Sequence, residues 1–155
     1  MKHHKFELLA DYFQVYLMDV EADDDTSEIW TEEAFKLKLG ILSNTLAIGT
    51  FRNVDVPLEV EIFESEPEVN LEEWDHASKG YFTIKSGNCA VFGCTDYLPD
   101  AAKIEIKPGT YSALSLAKGL GSITEEWEDA DDLYKVILWP SFNEEYKALK
   151  NYENT

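Results

Sequence analysis

Val56-Pro57-Leu58-Glu59-Val60-Glu61-Ile62 puts an apolar residue at every second position, with acids at most of the positions between. Side chains alternate between the faces of a strand, so this stretch reads as a strand with one face in a core and an acidic face in water. Ala102-Lys103-Ile104-Glu105-Ile106-Lys107 repeats the pattern. Lys107-Pro108-Gly109-Thr110 then supplies a turn into Tyr111 to Ala117, and a hairpin is expected there. A second hairpin is expected where Tyr81 to Lys85 meets Cys89 to Thr95 across Ser86-Gly87-Asn88, because Gly and Asn accept the positive φ of a tight turn. Further strands are expected over Phe6 to Met18, Thr45 to Arg52 and Leu133 to Trp139. This last run and Cys89-Ala90-Val91-Phe92 are apolar on both faces, which places both in the middle of a sheet.

Helical pattern is confined to two places. At Thr31 to Leu39, Thr31 can cap and Glu32 and Glu33 suit the positive helix N-terminus; the other segment is Phe142 to Lys150. Ser65 to Asn70 and Leu120 to Asp131 read as long loops. The expectation is an all-β fold, an antiparallel β-sandwich of about eight strands with one or two short helices. It occupies a single domain over residues 1–155, frayed at 1–4 and ending in a short helix or tail at 141–155. No run approaches the ~20 apolar residues of a membrane span. Glu7 and Asp11 interrupt the opening stretch where a signal peptide would be apolar, so a cytoplasmic address is expected.

The chain carries 31 Asp and Glu against 13 Lys and Arg, a formal charge of −18. Apolar content of 45% and aromatic content of 13% exclude an acidic disordered tail, so the charge coats a packed interior. Such a surface repels phosphate backbones and anionic membranes, which disfavours direct nucleic-acid or membrane binding. The acids are also segregated. Residues 20–33 hold seven, residues 59–75 eight and residues 124–132 six, with no Lys or Arg in any of the three windows. Segregation costs self-repulsion that interspersed lysines would relieve. Each window also contains a tryptophan, Trp30, Trp74 and Trp127. Trp74 reads as structural and Trp139 as core, whereas an aromatic anchor rimmed by acids suits a basic protein partner. The residues expected to bind that partner are Asp23, Asp24, Asp25, Glu28 and Trp30, with Glu125, Glu126, Trp127, Glu128 and Asp129 as a second patch.

Catalytic chemistry is sparse. His3 and His4 lie in the stretch expected to fray, and Asp75 cannot orient its neighbour His76 as a triad requires. Trp74-Asp75-His76 reads instead as a loop running into a strand, its polar side chains bonded to backbone. There is no GxGxxG, P-loop, HExxH or GxSxG, and Gly119-Leu120-Gly121-Ser122 lacks the helix and lysine of a phosphate loop. Cys89 and Cys94 are the only cysteines. Five residues apart in a strand-like run they point to opposite faces, and both read as reduced core thiols. A carboxylate enzyme has no positive motif behind it. Asp23-Asp24-Asp25 with Glu28, or Glu128-Asp129 with Asp131-Asp132, offers hard oxygens, so a calcium-binding sandwich module is the alternative to a partner-binding one, although the twelve-residue calcium loop is absent.

In order and spacing, Trp30-Thr31-Glu32-Glu33-Ala34, Arg52-Asn53 and Lys107-Pro108-Gly109-Thr110-Tyr111 resemble the competence protein J family over roughly Phe13 to Ser115. Those small acidic bacterial proteins inhibit a DNA-entry nuclease encoded beside them. Glu73-Trp74-Asp75-His76 and the ending Asp132 to Pro140 are similar to a broader set of uncharacterised bacterial sandwich proteins. The resemblance implies a non-catalytic β-sandwich binding protein and an immunity protein held in the producing cell. The combined expectation is a cytoplasmic inhibitor, not an enzyme. It binds a basic protein such as a nuclease or toxin through clustered carboxylates, with a homodimer as a further option and no cofactor or bound metal.

Overall fold

A computed structural model describes residues 1–96 and 98–152. Within it, β5 (Asp55–Ile62) has Val56, Leu58 and Val60 buried while Glu59 and Glu61 turn outward. On one side β5 pairs antiparallel with β1 (Lys2–Leu9), and on the other it pairs parallel with β10 (Leu133–Pro140). β9 (Gly109–Lys118), β6 (His76–Ile84) and β11 (Lys147–Lys150) complete a six-stranded sheet in the order β1-β5-β10-β9-β6-β11. The facing sheet has five strands in the order β3-β4-β2-β7-β8. They are β3 (Leu39–Leu42), β4 (Thr45–Gly49), β2 (Gln14–Asp19), β7 (Asn88–Gly93) and β8 (Ala102–Glu105). The fold is the expected all-β sandwich, with eleven strands among the described residues and one parallel pair, β5–β10. α1 (Glu32–Leu37) begins where Thr31 Oγ1 accepts the Ala34 amide and ends at Lys38 in the left-handed region.

The main core lies between the sheets, formed by alternate residues such as Val15, Leu17, Leu46, Ile48, Leu58, Val60, Phe82, Val91, Tyr134, Val136 and Leu138. Each sheet also buries much of its outer face. On the six-stranded sheet, Leu114, Leu116, Ile137 and Trp139 are roofed by Phe63, Val69, Leu71 and Trp74. On the five-stranded sheet, Tyr16, Ala47, Ala90 and Phe92 lie under Ile29 and Trp30. These roofs explain why the central strands are apolar on both faces. They also account for two of the acidic windows, whose apolar residues clamp a sheet while most of their acids face water.

Several expectations fail for identifiable reasons. Neither hairpin forms, because β6 and β9 belong to one sheet and β7 and β8 to the other. At Ser86-Gly87-Asn88 the buried Asp19 carboxylate accepts the amides of Lys85 and Ser86 and the Ser86 hydroxyl. The chain thereby arches over the core, and its two strands pair with other neighbours. Phe6 to Met18 is two strands in different sheets, broken at Tyr12 and Phe13, both at positive φ. The opening residues are not frayed, since Lys2 to His4 pair with Val60 to Ile62. The C-terminal helix is absent too: β11 takes the free edge of β6, and the Tyr146 hydroxyl donates to Leu39 O at 2.5 Å. A nine-residue helix gains little alone, whereas an open sheet edge supplies backbone partners at once.

Candidate partner-binding site

The loop between β9 and β10 carries Glu125, Glu126, Trp127, Glu128 and Asp129, all exposed, with Trp127 63% accessible. Buried polar contacts hold it down. Arg52 donates from Nε to Asp132 Oδ1 at 2.8 Å and from its terminal nitrogens to the carbonyls of Glu128 and Asp55. The Tyr134 hydroxyl donates to Asp132 Oδ2 and accepts the Phe51 amide. Asp132 is therefore not a surface acid but the buried partner of Arg52, whose charged form it stabilises. Asn53 extends the anchorage in both directions, as its amide donates to Glu126 O and its side-chain oxygen accepts the Tyr12 amide.

Through Asn53 the loop adjoins an open groove of about 470 Å³ lined by Tyr12, Phe13, Gln14, Trp30, Phe35, Lys38 and Phe51, among others. Tyr12 and Phe35 are exposed large aromatics, and Trp30 stacks on Phe35 at 5.4 Å. Trp30 Nε1 donates to Gln14 Oε1, which also accepts the Tyr16 hydroxyl, so the indole nitrogen of the wall is already paired. All three non-glycine residues with positive φ among those described, Tyr12, Phe13 and Lys38, line this groove. Left-handed backbone at aromatic residues is costly and persists where the surroundings enforce it, commonly at binding sites. Lys38 is the single charged residue in the lining, its ammonium 5.0 Å from the centre of the Phe51 ring.

The first patch is split. Trp30 sits at the Gln14 end of β2, whereas Asp24 lies at the opposite end, accepting the Asn44 amide and the Thr45 hydroxyl. Five residues of strand separate these ends, roughly 16 Å at ~3.3 Å per residue. Asp25 caps the short turn that follows it and accepts from Ser27, which pulls its pKa below the ordinary value; Asp23 and Glu28 are exposed. Tyr12, Phe13, Phe35, Lys38 and Phe51 were not legible as a site. Only the break in alternation at Tyr12-Phe13 marks the place in the sequence.

His76 is buried, its Nε2 and the Ser78 hydroxyl both directed at Leu37 O, the free carbonyl at the end of α1. Asp75 accepts the Leu120 amide, so the Trp74-Asp75-His76 step bonds backbone as its sequence reads. Cys89 and Cys94 are unbridged thiols, Cys89 buried and pushed up to about 12 by desolvation, Cys94 half-buried. The Asp23–Asp25 run spends Asp24 and Asp25 on local hydrogen bonds, and the residues that do converge are His3, Glu59 and Glu61. No helix among the described residues is long and apolar enough to cross a membrane.

Together these features define an acidic two-sheet sandwich, strapped on both outer faces, with an aromatic groove and an anchored acidic loop at one end. Among solved structures it is similar to ComJ, inhibitor of the DNA-degrading activity of NucA, from Bacillus subtilis, at 11% identity over 91% of this chain and 96% of that one, with a TM-score of 0.66. It is also similar to the product of crocagin biosynthetic gene J, at 14% identity over 90% and 99% of the two chains, with a TM-score of 0.59. The chain has a ComJ-like fold. No protein-family model matches it, and no curated protein does.

Proposed function

We propose that this chain is a non-catalytic, cytoplasmic inhibitor that binds a basic nuclease or toxin in the cell that makes it. The observation that carries the reading is the juxtaposition of exposed aromatics with exposed acids that form no ion pair among the described residues, at one end of the sandwich. Trp127, Tyr12 and Phe35, with the half-buried Trp30 stacked on Phe35, provide apolar contact, and Glu125, Glu126, Glu128 and Asp129 provide a negative rim. Desolvated aromatic centres within charged rims are the anatomy of tight interfaces, and the rim sets encounter rate and partner sign. Asp24 at the other end, and Asp23, Asp25 and Glu28 along the same segment, add to the long-range field that draws in a basic protein. The fold shared with the ComJ structure supports the same role.

The test is a DNA-degradation assay. Nuclease fractions from the producing cell, and NucA as a reference, are titrated with the purified chain at low salt. Stoichiometric loss of one nuclease activity is expected, with double charge reversals at Glu125 and Glu126 slowing association and leaving the melting temperature unchanged. If every fraction keeps full activity at molar excess of the chain, the inhibitor reading fails.

A further inference from the structure

We propose a divalent transition-metal site on the outer face of the six-stranded sheet, formed by His3, Glu59 and Glu61. The register of β1 and β5 sets His3 opposite Glu61, and Glu59 projects from the same face two residues away. The three ligand atoms lie within 4.8 Å of one another, with His3 Nε2 2.7 Å from Glu59 Oε1 and 3.8 Å from Glu61 Oε2. Tetrahedral zinc with bonds of ~2.0–2.2 Å spaces its ligands about 3.4 Å apart, so modest rotamer adjustment closes the set. One imidazole nitrogen with two carboxylate oxygens suits zinc, cobalt or nickel better than calcium or magnesium, and it leaves positions for water. The donors stand on two paired strands, and the carboxylates are largely withdrawn from solvent, with side-chain exposures of 18% and 13%.

A cation already occupies this focus. Lys135 on β10 brings its ammonium to 3.2 Å from Glu61 Oε2 and 3.8 Å from Glu59 Oε1. One positive charge faces two negative ones, so a dication balances the pair better. The displaced ammonium has a second place to rest, because it lies 5.5 Å from the centre of the Trp74 ring. Lys135 is then a resident competitor, and the bound metal ties the edge strand β1 to its neighbour. The site is independent of the partner-binding groove.

Calorimetry of the full chain with zinc chloride, at physiological ionic strength and in excess magnesium, decides the matter. One zinc per chain and a raised melting temperature are expected. His3→Gln and Glu61→Gln should each weaken binding about tenfold or more, and Lys135→Gln should tighten it severalfold. Absence of saturable heat in both the wild type and Lys135→Gln overturns the site. Equal binding by His3→Gln overturns it too, since that assigns the heat to condensation on an acidic surface. A weakened Lys135→Gln removes the competitor role and overturns the proposal as stated.

Discussion

Asp132 is one of six acids in its window, and nothing in its neighbours separates it from the other five. Its partner, Arg52, lies 80 residues away. The pair is buried, so removing one member leaves an uncompensated charge, which costs about 3–5 kcal/mol. Arg52→Ala is expected to lower unfolding free energy by about that amount in urea melts, and to raise hydrogen exchange over residues 124–131 by freeing the carbonyl of Glu128. His76 makes a different prediction. Burial holds its pKa below the ordinary value, against the pull of the Leu37 carbonyl. As pH falls through about 6.5 the unfolded chain takes up a proton that the native histidine resists, so stability declines from about pH 7 toward pH 5. Equilibrium melts across that window should show a shallower decline in His76→Gln. If the two slopes coincide, His76 is not the group responsible.

At the scale of elements, two of the three acidic windows turn out to be straps. Trp74 is 3% exposed beneath the ammonium groups of Lys118 and Lys135, so a window without bases in sequence meets two lysines in space. Trp74→Ala should cost about 3–5 kcal/mol in chemical denaturation and uncover the outer face of the six-stranded sheet to dye binding. Gly119 ends β9 at φ +71°, and a Cβ there would collide with the carbonyl of Asp131. Gly119→Ala should therefore destabilise the fold by more than the ~1 kcal/mol of an ordinary glycine replacement, and loosen the loop that carries Trp127. Strand positions were legible because apolar alternation reports a sheet face directly. Strand partners were not: Ser86-Gly87-Asn88 has hairpin chemistry, yet the Asp19 carboxylate caps it as an arch between sheets. The C-terminal segment departs from its helical pattern because the free edge of β6, which captures β11, has no local signature.

For the whole molecule, the charge of −18 predicts association with a basic partner that slows steeply with salt. Stopped-flow rates for the proposed partner should fall at least tenfold between low and physiological ionic strength, with dissociation rates changing little. The two ends of the sandwich should also separate. Reversing Asp23 and Asp25 should slow association, whereas Trp127→Ala should act on dissociation, since the aromatic end offers Trp127, Tyr12 and Phe35 for apolar contact. Equal effects on both rate constants would place the interface elsewhere. By itself the sequence determined the sandwich class, the helix cap at Thr31, the central strands and the amount of charge, because periodicity, capping and net charge are local or additive quantities. Tertiary structure alone decided which acids remain free, which tryptophans are anchors and which exposed, and that Tyr12, Phe35 and Phe51 meet in one groove, because these depend on contacts between segments far apart in the chain.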